Sequence, residues 1–138
     1  MPEGVGYKGY QSVVNTGLDV SYWGDRAFAY SGLISPNEST VTALNFKTSK
    51  NGMDATVLWG IDLSVVTDDK FAALTIKLNG ILVYQIKGQD RLPYNGSINE
   101  TYARMDFFLP PLTDVQIECQ TDENEDVGMT VMFTGKLL

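Results

Sequence analysis

The 138-residue chain contains no histidine. That excludes every triad relying on imidazole, every imidazole general base and the commonest zinc and iron ligand sets. Its single cysteine, Cys119, can form neither an internal disulfide nor a multi-thiolate metal site. No apolar run is long enough to cross a membrane as a helix. No stretch of ten or more residues keeps good helical periodicity; the nearest, around Asp68 to Leu74, is short and runs straight into a strand-like run. Basic residues are few and unevenly placed. Ten Lys and Arg face 17 Asp and Glu, a net charge of −7, and none follows Arg104 until Lys136. Between those two lie Asp106, Asp114, Glu118, Asp122, Glu123, Glu125 and Asp126, which account for the whole net charge. Such a segment repels phosphate backbones and argues against nucleic acid as a partner. It also predicts that the charge gathers at one edge or tip of the fold.

What is present reads as one domain of ordinary size. The N-terminus, MPEGVGYKGYQ, lacks the basic and long apolar regions of a signal peptide, so a protein made and folded in a cytoplasm is expected. Residues 1–25 combine five glycines with Tyr7, Tyr10, Tyr22 and Trp23 and hold no sustained period. They read as an irregular, extended arm whose aromatic side chains dock on a surface.

Residues 26–138 read as a β-sandwich. Short runs rich in Val, Ile, Thr and aromatics recur every 8–16 residues between Gly, Asn, Asp and Pro. Eight strands are predicted near 27–34, 40–48, 54–66, 71–79, 81–87, 104–109, 113–121 and 129–137. Asn79-Gly80, between LTIKL and ILVYQI, marks a two-residue type I′ hairpin. In TDVQIECQT, Val115, Ile117 and Cys119 alternate with polar residues, and Met129, Val131 and Phe133 repeat that period in the last run. Pro110-Pro111 falls between two strands, where missing N–H groups do no harm. The fold class is therefore all-β, an antiparallel sandwich with an eight-stranded jelly-roll-like topology.

The candidate sites are few. Gly4-Val5-Gly6-Tyr7-Lys8-Gly9 has the spacing of a dinucleotide fingerprint without the strand and helix that give it meaning, so it reads as arm. Asp122, Asn124 and Asp126 place oxygen ligands at alternate positions. An EF-hand would next need Gly at Val127 and a carboxylate at Phe133, so the reading is a solvated turn, with a cation site as the alternative. Asn37, Asn95 and Asn99 head glycosylation sequons that mark loops. Asp54, Asp62, Asp68 and Asp69 are near in sequence, but paired-carboxylate catalysis depends on a cleft that spacing alone does not define. Trp59 shares a face with Val57, Ile61, Leu63 and Val65 and is assigned to the core. Trp23 and Tyr94 are the better candidates for exposed stacking. Tyr94 lies with Arg91 and Tyr102 in the longest loop, 88–103, an alternative ligand site. No cofactor and no catalytic role are expected.

The Gly- and Tyr-rich arm, the phrase AYSGLISPNESTVTALNFKT, the segment DFFLPPLTDVQIEC and the terminal TVMFTGKLL together resemble small capsid decoration or cement proteins of tailed bacterial viruses. The likeness is one of layout and strand phrasing over about residues 27–138. It implies a non-enzymatic virion protein on the capsid exterior, bound between subunits of the major capsid protein, often as a homotrimer, with no role at nucleic acid or membrane. On that expectation Tyr7, Tyr10, Tyr22 and Trp23 are interface anchors, worth about 2 kcal/mol or more each. The alternative is a carbohydrate- or receptor-binding module of a viral tail or fibre.

Overall fold

The structure, a computed structural model, describes residues 20–62, 66, 70–88 and 100–138, with the backbone alone at 88 and 100–102. These residues form nine strands: β1 (Ser21–Trp23), β2 (Arg26–Tyr30), β3 (Ser39–Lys47), β4 (Met53–Asp62), β5 (Ala72–Leu78), β6 (Ile81–Gly88), β7 (Glu100–Leu109), β8 (Asp114–Thr121) and β9 (Met129–Leu137). A five-stranded sheet runs in the order β1-β2-β9-β4-β7 and a four-stranded sheet in the order β3-β8-β5-β6. Every pairing is antiparallel, and no helix occurs among the described residues.

One turn organises the topology. Asn79 and Gly80 have φ values of 52° and 82°. A type I′ turn demands those two positive angles, which Gly adopts freely and Asn at small cost. From this apex the chain folds back as one long hairpin in which β5 meets β6, β4 meets β7, β3 meets β8 and β2 meets β9. Partners lie at nearly equal distances along the chain on either side of the apex: Ile76 with Tyr84, Val57 with Met105, Val41 with Cys119, Ala29 with Phe133. Rolling that hairpin so that alternate pairs fall in opposite sheets, joined by β4·β9 and β5·β8, makes a jelly roll. Asn79 also fastens the apex to β8: its N–H donates to the Asp114 carbonyl (2.8 Å), and its side-chain oxygen accepts from the Asp114 N–H (3.0 Å).

The period-2 pattern decides what fills the space between the sheets. Val115, Ile117 and Cys119 of β8 and Met129, Val131 and Phe133 of β9 are buried, as their alternation predicts. Trp59, with 2% of its surface exposed, sits in the same core beside Val57 and Ile61. Phe46 of β3 and Phe133 of β9 meet across the two sheets with ring centroids 4.9 Å apart and planes tilted by 55°. That offset suits the quadrupoles of two rings better than a face-to-face stack.

Several boundaries differ from the sequence expectation. The run predicted over 27–34 ends at Tyr30, because Gly32 takes a φ of 71° and leaves the strand; Ile34 returns only as an isolated bridge to Met129. The strand predicted to start at 104 begins at Glu100. Within the segment read as an irregular arm, Ser21–Trp23 instead forms β1, paired with β2. Three residues are too few to display a period, and their order comes from the neighbouring strand. The acidic residues do not share one edge or tip. Asp106 lies on β7 of the five-stranded sheet, while Asp114 opens β8, an interior strand of the other sheet, and Asp122 follows its last residue. Eight residues of strand separate those two by about 26 Å.

Candidate interaction face

In β2 the usual division of sizes is reversed. RAFAY turns Ala27 and Ala29 inward, both buried, and sends Arg26, Phe28 and Tyr30 outward. The register of the sheet extends those outward residues into rows. Tyr30 stands beside Met132, Leu58 and Arg104; Phe28 lies between Ser21 and Thr134, with Thr56 and Asp106 beyond; Trp23 pairs with Arg26, followed by Lys136, Asp54 and Phe108. The result is a continuous apolar stripe on the outer face of the five-stranded sheet: Trp23, 81% exposed, Tyr30, 53% exposed, then Phe28, Met132 and Leu58. At about 200 Å² for a large side chain, these fractions leave roughly 500 Å² of apolar surface open, near the upper end of the largest patch on an ordinary monomer. An open groove of 530 Å³ runs along the stripe, lined by Ser21, Phe28, Tyr30, Met132 and Thr134 with parts of Ala29 and Phe133.

The rim is polar and locally balanced. Arg104 meets Asp106 at 3.2 Å, and Thr56 donates its hydroxyl to the same carboxylate at 2.6 Å. The Thr56 hydrogen bond, followed by those from the Arg104 guanidinium, holds the Asp106 carboxyl below its ordinary value. Arg26, Lys136 and Arg104 stand on this face with Asp54, Asp62 and Asp106, so its described charged residues balance on a chain whose net charge is −7.

The expected anchors divide here. Trp23 stands out from the sheet, whereas Tyr22, one residue earlier, faces the other way, pairs with Ala27 and packs against the core. Tyr22 therefore flanks the core and does not join Trp23 on the outer face, because successive residues of a strand point to opposite faces. Tyr7 and Tyr10 lie outside the described residues, as do Arg91, Tyr94 and the fingerprint-like Gly4–Gly9. Tyr102 falls on β7, with its backbone alone described.

The acidic turn is built into the fold more firmly than a solvated turn. Asp122 accepts from the Phe71 N–H (2.8 Å) and Asp126 from the Asn37 side-chain amide (3.1 Å), so their carboxylates are engaged with different loops. Glu123 is buried, and its backbone carbonyl accepts from the Glu38 N–H (2.8 Å). No group of three or more acidic, cysteine or histidine side chains converges as a metal site would require among the described residues. Asp54 and Asp62 sit eight residues apart on β4, about 26 Å, which is too far for two carboxylates to flank one bond. Asp68 and Asp69 lie outside the described residues. Cys119 is buried between the sheets, and loss of solvation pushes its thiol up to about 12, which leaves it a packing residue at neutral pH.

The arrangement defines a class: a jelly-roll sandwich with an exposed apolar stripe and a polar rim on the outer face of its five-stranded sheet. No protein-family model matches the chain, and no curated protein matches it in sequence at a significant level.

Proposed function

We propose that the protein is a non-enzymatic attachment module that docks on a larger protein surface through the outer face of its five-stranded sheet. Its setting on this reading is the exterior of a viral capsid, which it decorates or cements, with the major capsid protein as partner. The carrying observation is the stripe of Trp23, Tyr30, Phe28, Met132 and Leu58 on a face that the fold leaves uncovered among the described residues. Rigid aromatic side chains at the centre of a polar rim are the composition of interface hot spots, since they bury much area at little cost in rotamer entropy. The balanced rim fits a partner surface without strong net charge.

The test is binding of purified protein to capsids lacking it, with Trp23→Ser and Tyr30→Ser as probes. Each variant is expected to weaken binding at least tenfold at unchanged melting temperature; full retention by the double variant overturns this reading. The exposed indole and phenol also fit the faces of sugar rings, which supports a second reading as a glycan- or receptor-binding module of a tail or fibre. Glycan-array binding that disappears with Trp23→Ser, without affinity for capsids, favours that alternative.

A further inference from the structure

Among the described residues, a second uncovered apolar region lies on the open side of the sandwich, where β6 ends the four-stranded sheet and β7 ends the five-stranded one. Here four consecutive residues, Ile81, Leu82, Val83 and Tyr84, are all exposed, Ile81 by 67% and Val83 by 49%. A strand normally hides every second residue. The register explains the exception: Ile76 pairs with Tyr84 and Lys77 with Leu82, so Val83 is an extra, bulged residue. Val83 and Tyr84 consequently both line a cleft between the sheet edges, 260 Å³ in volume, whose other lining residues are Ile76, Leu78, Met105, Phe107, Phe108 and the Arg104-paired Asp106. This is the interior of the sandwich, left open at one side. The described loop ends, Gly88 and Glu100, lie at the opposite end of β6 and β7 from it.

We infer that this open edge is the self-association surface of the protein, and that a second copy closes it by pairing β6 with β6 antiparallel across a two-fold axis near Val83–Tyr84. Three observations select another copy as the occupant. An edge strand directs the N–H and C=O groups of alternate residues outward, and of the devices that blunt an edge β6 carries only the Val83 bulge, with no proline and no charged side chain before Lys87. The edge is also the neutral part of an acidic protein. β6 carries no acid, Lys77 is paired with Glu118 at 3.2 Å and Arg104 with Asp106, so a copy of the same chain meets no net repulsion there. In the antiparallel register Lys87 of each copy lies far from its equivalent. Finally, Ile81, Leu82, Val83, Tyr84 and Phe108 leave roughly 500 Å² of apolar side-chain surface open at about 200 Å² each, before the strand backbone is counted. A stable pair needs about 800 Å² per partner, and an isologous contact uses the same patch twice.

The inference is separable from the capsid reading, because its axis lies on β6, outside the five-stranded sheet, although Asp106 and Phe108 border both surfaces. Sedimentation equilibrium of the full chain across a concentration series is expected to show twice the 15.2 kDa monomer mass. Val83→Lys should raise the dissociation constant at least about 100-fold by bringing two cations together at the axis. Tyr84→Glu should do the same, and Trp23→Ser should leave the mass unchanged. Val83→Cys should form an intermolecular disulfide under mild oxidation, whereas Trp23→Cys should not. A monomer at all concentrations, a trimeric mass, or a dimer untouched by Val83→Lys and Tyr84→Glu overturns the inference.

Discussion

β6 and β8 are both eight-residue strands of the same sheet, yet they spend their hydrophobic residues in opposite ways. β8 has three large or medium apolar side chains on one face and hides all of them. β6 offers a run of four and hides none completely. The difference is one of neighbours. β8 lies between β3 and β5, with the other sheet over its apolar face, while β6 has a strand on one side only and overhangs the edge of the opposite sheet. Apolar content alone therefore does not rank the importance of these two strands to stability; position in the sheet does.

Cys119 of β8 gives the largest expected contrast. With its thiol pushed from 9.0 to about 12, the thiolate fraction at pH 8 falls about 1,000-fold. Ellman's reagent should therefore label native protein more slowly than denatured protein by at least that factor, and rapid labelling of the native state would place Cys119 outside the core. The sign for stability follows from the raised value. The contribution is complete below about pH 9 and is lost as pH rises toward 12, so urea midpoints should fall over that interval.

Next in size, Ile117→Ala in β8 should cost about 3 kcal/mol by urea denaturation. Val83→Ala in β6, measured below the association threshold, should cost less than about 1 kcal/mol, since half of that side chain is already in water. Equal losses would break the comparison. Asn79→Ala should cost about 1–2 kcal/mol, because it removes a residue suited to positive φ together with the acceptor for the Asp114 N–H, which is the fastening between the β6 hairpin and β8.

The smallest effect concerns Asp106 on the edge strand β7. Its depressed carboxyl stabilises the folded state above the ordinary value of 3.8, and that contribution disappears as pH falls through the lower folded value. The Asp106→Asn variant should therefore lose slightly less stability than the parent on acidification below about pH 4. A full-sized acid transition unchanged in shape would show that other carboxylates control it.

Most of the sandwich was legible because its interior strands have two unlike faces. β8 and β9 alternate apolar with polar residues, and Asn79-Gly80 names its own turn chemistry. Trp59 followed the same period into the core. The interaction face was less legible for the complementary reason: RAFAY is apolar on both faces, so alternation does not reveal that the alanines go in and the aromatics come out. Tyr22 and Trp23, adjacent in sequence, read alike there but point to opposite faces, since a three-residue strand shows no period until its partner is known. The open cleft depends on a bulge and on the relative extent of two sheets, neither of which leaves a mark in ILVYQIKG. Glu123 is buried by loop contacts with residues distant in the chain, which no local rule anticipates.

The nesting of all four strand pairs around Asn79-Gly80 also fixes an order of assembly. β5 and β6 meet after closing a two-residue loop, whereas β2 and β9 must bring together residues about as far apart as Ala29 and Phe133. Loop-closure entropy and contact order place the first event early and the last one late. β9 is also a middle strand of its sheet, between β2 and β4. On a ribosome, β2 and β4 must therefore wait, unsatisfied along one side, until nearly the whole of this chain has emerged. Such a molecule folds slowly, completes its sheets in one final step, and is most exposed to wrong partners just before it does so.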